Sequence, residues 1–125
     1  MLSKRLQALA DYIEENDIVA DIGSDHGKLA LYLNKLGHAY VYASENKKGP
    51  YERLKKEIGQ PKAGHIEVAL KDGLSDLPSH INTVVIAGMG GDLIGDILSR
   101  GGDKLDHIQK LVLAPNGGER ELRRL

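Results

Sequence analysis

At 125 residues, 41% hydrophobic and with a net charge of -1, the chain has the size of one globular domain that buries roughly two thirds of its unfolded surface, and it lacks the global electrostatic footprint of a nucleic-acid binder. Zero cysteines exclude a disulfide framework and any thiolate metal site. The five histidines, His26, His38, His65, His80 and His107, lack the i, i+4 pairing of a zinc cluster, so no metal is expected.

In chain order, Leu2, Leu6, Leu9, Ala10 and Ile13 recur on one face and predict an amphipathic helix over 3–15. The run 18–22 predicts a first strand, and Leu29, Leu33 and Leu36 mark a helix closed by Gly37. Residues 40–43 predict a second strand. Pro50 suits the first position of a third helix, which carries Tyr51, Leu54 and Ile58 and stops at Gly59. Residues 65–69 predict strand three. Residues 83–87, almost wholly β-branched, predict a buried parallel strand four, followed by a helix with Leu93, Ile94, Ile97 and Leu98. Residues 111–114 predict strand five, and the polar ERELRRL beyond it is a helix scarcely begun.

This βαβ rhythm predicts one α/β domain over 1–125. Right-handed crossovers give a parallel sheet of order 3-2-1-4-5, with a ligand cleft at the switch between strands one and four, outside their carboxyl ends. The loops expected at that edge, GSDHG, SEN, KDGL, AGMGG and APNGG, are the polar, glycine-rich ones. No apolar run approaches the roughly 18 residues of a membrane span, and the start MLSKRLQALADY lacks the apolar stretch of a signal peptide. The expectation is a soluble, cytoplasmic protein.

Residues 18–27, IVADIGSDHG, run from strand one into a tight acidic turn. A dinucleotide fold needs G-x-G-x-x-G so that the backbone can approach a pyrophosphate. Here Asp25 stands at the second glycine and Asp21 precedes it, so a phosphate above the strand would be repelled. A ligand with a sulfonium, an ammonium and one carboxylate suits such a turn, and the segment resembles the first nucleotide-binding turn of S-adenosyl-L-methionine methyltransferases. The plain alternative is a polar strand-to-helix turn with Asp25 as helix cap. Glu45 follows strand two, about 20 residues beyond Gly23, the separation at which an acidic residue accepts from ribose hydroxyls; an exposed Glu opening a loop is the alternative. Asp72, with Gly73 and Leu74, can flank an adenine and accept from its exocyclic amine, or simply form an Asx turn.

Together these segments resemble the bacterial tRNA (adenine(22)-N(1))-methyltransferase family, TrmK, over nearly the whole chain. The resemblance rests on SKRL at 3–6, ADIGSDH at 20–26, GPY at 49–51, VIAGMGG at 85–91 followed by LI, and APN at 114–116. It implies a Rossmann-like class I fold that binds S-adenosyl-L-methionine. Asp21, Gly23, Ser24, Asp25 and His26 would line the methionine end of the cofactor, Glu45 would hold its ribose and Asp72 with Gly73 its adenine. Ala87, Gly88, Met89, Gly90 and Gly91 would lie beneath the methyl group. Arg5 can reach the cofactor carboxylate or remain solvated. The family has AGE where this chain has ASE, NGL where it has DGL, and glutamine where it has Ala114. Relatives continue through two final strands and a helical extension that holds the tRNA; this sequence ends at Leu125, so the sheet is expected to lack its last two strands and to expose strand five to a partner.

Methyl transfer to N1 of an adenine in tRNA asks mainly for positioning. The base is unstacked into a pocket that reads its Watson-Crick edge, where Asn116 and Met89 are the candidate contacts, beside Gly90. A turn-forming Asn and a gap-filling Met are the alternatives. Basic side chains cluster at Lys47, Lys48, Arg53, Lys55 and Lys56 and at Arg120, Arg123 and Arg124, available for tRNA phosphates or as a solvated helix face. Two other functions stay open: a cofactor-binding module without its own catalysis, and a dinucleotide-dependent oxidoreductase, against which Asp25 stands.

Overall fold

The computed structural model describes residues 4–24, 27–59 and 65–114. Five parallel strands, β1 (Val19–Ile22), β2 (Tyr40–Glu45), β3 (His65–Leu70), β4 (Thr83–Ala87) and β5 (Lys110–Ala114), form one sheet in the order β3-β2-β1-β4-β5. This is the expected α/β topology. Its direction reverses between β1 and β4, because the chain leaves β1 toward β2 and returns on the other side.

Helices cover both faces, as a parallel sheet with buried strands requires. One face buries Val19, Val41, Ala43, Val85 and Val112 against Leu29, Leu33, Leu54 and Ile58 of α2 (Lys28–Lys35) and α3 (Lys48–Ile58). The other buries Ala20, Ile22, Tyr42, Val84 and Ile86 against Ile94 and Ile97 of α4 (Gly91–Gly101), together with Leu74 and Ile81. The period-two alternation of side chains along each strand sorts them into these two clusters. Each fully buried Val or Ile contributes about 1.5–3 kcal/mol relative to exposure.

The opening helix is shorter than its periodicity predicts. α1 (Lys4–Ala10) ends well before residue 15. Beyond it, Asp17 accepts from the Glu14 amide at 2.8 Å, and Lys110 Nζ donates to the Tyr12 carbonyl at 2.9 Å and to Asp17 Oδ2 at 2.8 Å. These side-chain bonds compete with continuation of the helix. Burial pushes the Asp17 carboxyl up, but the hydrogen bonds from Lys110 and Glu14 and the Lys110 charge outweigh it and hold the group below its ordinary value. α3 starts at Lys48, two residues before Pro50, so the proline sits within the first turn, where its missing N–H costs nothing.

Candidate functional site

At the carboxyl ends of β1 and β2 one carbonyl ties the two strands together. Gly23 and Ser24 amides both donate to the Ser44 carbonyl, at 2.9 and 3.1 Å. The turn needs glycine at both ends: Gly23 has φ 70° and Gly27 φ 71°, backbone that L side chains rarely adopt. At Gly27 a Cβ would also lie 2.6 Å from Ile58 Cδ1, so this glycine lets the start of α2 close on α3. Asp21 is 4% exposed and accepts from Ser24 Oγ at 2.8 Å. It belongs to the face opposite Ile22 and shapes the turn from behind.

Beside this turn opens a cleft of about 90 Å³ lined by Gly23, Glu45, Asp72, Gly73 and Met89 among the expected residues, and by Ile22, Ser44, Asn46, Lys71, Leu93, Ile97 and Arg100 besides. A second hollow of about 150 Å³ adjoins it across Asp72, Gly73, Ile97 and Arg100. The first lies at the carboxyl ends of β1, β2 and β3 against α4, and the second between the segment after β3 and α4. Ile97 and Leu93 form the apolar wall; their helical spacing reads in the sequence as core packing, which is why they do not stand out as site residues.

Charge in the cleft is arranged in pairs. Arg100 Nη1 donates to Asp72 Oδ2 at 3.0 Å, and its Nε bridges Asp96 one turn back, also at 3.0 Å. Lys71 Nζ lies 3.0 Å from Asp76 Oδ2 and holds that carboxyl below its ordinary value. Asp72 is therefore oriented by an arginine that sequence reasoning missed, since Arg100 reads as the basic end of a helix. The Met89 methyl group fills the space where a side chain on Gly23 would begin, so Met89 covers the first turn from above instead of standing clear of it.

The remaining expected residues lie around the cleft. Gly88 has φ 79° and donates to the Ala114 carbonyl at 3.1 Å. The same carbonyl accepts from Arg5 Nη2 at 2.7 Å, which brings Arg5 of α1 to the end of β5. Ala87 ends β4 and packs against the core cluster of the α2–α3 face, and Gly90 caps α4. Asp25, His26 and Asn116 lie outside the described residues. Among the described residues no group of three or more His, Asp or Glu side chains is placed to hold a metal ion, and no helix is long and apolar enough to cross a membrane.

A cleft at the switch point, Glu45 ending β2, Asp72 just past β3, and a glycine turn that admits close approach are the features of a nucleotide-cofactor site. Residues 2–125 match the family described as "Methyltransferase domain". The chain belongs to this methyltransferase family. It is 42% identical over 121 residues to the tRNA (adenine(22)-N(1))-methyltransferase of Bacillus subtilis (strain 168), covering 92% of this chain and 50% of that protein. A protein of the NADB-Rossmann superfamily from Streptococcus agalactiae superposes with a TM-score of 0.94 at 41% identity, over 99% of this chain and 57% of its own. M. capricolum TrmK, solved with S-adenosyl-homocysteine, superposes with a TM-score of 0.83 at 30% identity, over 99% of this chain and 56% of its own. The methyltransferase chain thus spans about half the length of the relatives it matches.

Proposed function

We propose that this methyltransferase domain binds S-adenosyl-L-methionine in the cleft at the carboxyl ends of β1, β2 and β3, against α4, and serves transfer of its methyl group to N1 of an adenine in tRNA. The observation that carries the reading is the convergence of Gly23, Glu45, Asp72 and Gly73 on one cleft in a chain 42% identical to a tRNA (adenine(22)-N(1))-methyltransferase. The donor set suits the cofactor. Glu45 accepts from the ribose hydroxyls, Asp72 uses the carboxylate edge turned from Arg100 to accept from the adenine amine, and Ile97 and Leu93 present an apolar wall to the ring. Asp21, by accepting from Ser24, shapes the turn that serves the methionine end, for which Asp25 and His26 are the candidate contacts. Arg5 is within the same edge for its carboxylate.

When bound, the cofactor supplies an electrophilic methyl group, and N1 of adenine has a lone pair available near neutral pH, so no side chain need act as base. The chain's task is to hold the two in line, an effect worth several kcal/mol. Ala87 to Gly90 serve the transfer point, and Met89 and Asn116 are the candidate contacts for the target base. Lys47, Lys48 and Arg53 offer phosphate contacts; Lys55 instead lies over the Tyr51 ring, 5.2 Å from its centre. A cytoplasmic location fits a tRNA substrate.

Calorimetric titration with S-adenosylhomocysteine (SAH) and with NAD tests the cofactor, and labelled methyl incorporation into unmodified tRNA tests the substrate. Binding of NAD without SAH would overturn the proposal. A second reading, a cofactor-binding module without independent catalysis, predicts SAH binding with no methyl incorporation.

A further inference from the structure

The last residue row of the sheet before the cleft contains one anomaly. On the α4 face, register places Ala69, Ser44, Ile22, Ile86 and Leu113 side by side across β3, β2, β1, β4 and β5. The four others are apolar and belong to the cluster of that face. Ser44 alone carries a polar side-chain atom. It is 1% exposed, and its hydroxyl has no hydrogen-bond partner among the described residues. Its carbonyl already serves the turn by accepting from Gly23 and Ser24, but that accounts for none of the hydroxyl's own capacity. Burying a hydroxyl unpaired is unfavourable, and an alanine would pack in this row without that penalty.

Ser44 lines the cleft beside Ile22, between Gly23 and Glu45. The described charged groups of this region leave no free cation facing it: the carboxylates are acceptors, and Lys71 pairs with Asp76 and Arg100 with Asp72 and Asp96. A nucleoside between Glu45 and Asp72 brings acceptors of its own, a ribose ring oxygen and aromatic ring nitrogens, for which the two carboxylates offer nothing. A neutral donor on the cleft floor meets that need.

We propose that the Ser44 hydroxyl is a binding residue for the nucleoside part of the ligand, donating a hydrogen bond to a ribose or adenine acceptor. This rests on the nucleoside-cofactor reading above. In the absence of ligand the hydroxyl is a built-in deficit, and binding relieves it. Loss of the group therefore acts on affinity and on the unliganded fold with different signs, a pattern that a purely structural serine does not give.

The test is Ser44→Ala, with Ser44→Gly as the second variant, in the 125-residue chain. Affinity for SAH and for 5′-methylthioadenosine, which carries the nucleoside without the amino acid, is measured by calorimetry, and thermal unfolding is followed without ligand. The expected result for Ser44→Ala is about three- to tenfold weaker binding of both ligands, the size of one neutral hydrogen bond, with an unliganded midpoint equal to or above that of the parent. Unchanged SAH affinity in a chain whose parent binds SAH overturns the assignment and leaves the cofactor reading intact. A lowered unliganded midpoint with unchanged affinity shows a structural hydroxyl and overturns it too, as does weakening for SAH but not for methylthioadenosine. Failure of the parent to bind SAH removes the cofactor reading, and this proposal with it.

Discussion

Asp21 and Glu45 carry the same charge at the ends of neighbouring strands, yet their surroundings give them different work. Asp21 is buried and receives the Ser24 hydroxyl, so Asp21→Ala leaves that hydroxyl without its acceptor and should lower stability by about 1–3 kcal/mol, measured by denaturant unfolding. Glu45 is half-buried at the mouth of the cleft. Glu45→Ala should leave the unfolding midpoint within error and weaken SAH binding about tenfold or more, the size of a lost charged hydrogen bond; equal affinity by calorimetry would remove Glu45 from the site. Both carboxylates are visible in the sequence as motif positions. Only the face each one occupies separates the shaping residue from the ligand contact.

The first turn and the α1–β5 seam show how elements are fixed by residues distant in sequence. Gly27→Ala meets a left-handed backbone that L residues rarely adopt and the Ile58 side chain together, and should cost about 2 kcal/mol or more; a melting midpoint within about 2 °C of the parent would contradict the packing described. At the seam, Lys110 ties β5 to the loop after α1 through Asp17 and the Tyr12 carbonyl. Because the folded Asp17 carboxyl lies below its ordinary value, its stabilisation is fully present above the unfolded value of about 3.9 and is lost as pH falls through the lower folded one. Lys110→Met should therefore cost about 1–2 kcal/mol at neutral pH, and the gap to the parent should narrow only below about pH 4. Equilibrium unfolding at pH 7, 4 and 3 checks the sign.

At the scale of the whole molecule, the switch-point cleft joins β1, β2, β3 and α4, so ligand should stabilise the domain as a unit. At about 100 times its dissociation constant, SAH adds roughly 2.7 kcal/mol by mass action, which corresponds to a rise of about 10 °C in the unfolding midpoint for a domain of this size; scanning calorimetry with and without SAH reads it. Methyl transfer is expected to lag behind binding. The chain spans about half the length of its relatives, and a net charge of -1 offers few of the phosphate contacts that supply much of tRNA affinity. At low salt, labelled methyl incorporation into tRNA should fall well below that of a relative of full length, and comparable turnover by both would contradict this account of substrate binding.

The doubly wound parallel sheet was legible in the sequence, since short apolar runs alternating with amphipathic helices call for right-handed crossovers, and the polar glycine-rich loops then fall at the carboxyl edge. The acidic turn and the positions after β2 and β3 were legible for the same reason. The tertiary structure decided which side chains share the cleft. Arg100 reaches Asp72 across 28 positions of chain, Met89 folds down on Gly23, and the end of α1 is set by Lys110 from the last strand. Periodicity records which face of an element is apolar, but it carries no information on which distant polar group will arrive there. The unpaired Ser44 hydroxyl is of the same kind: a serine in a strand is unremarkable until register places it in an apolar row at the floor of a site.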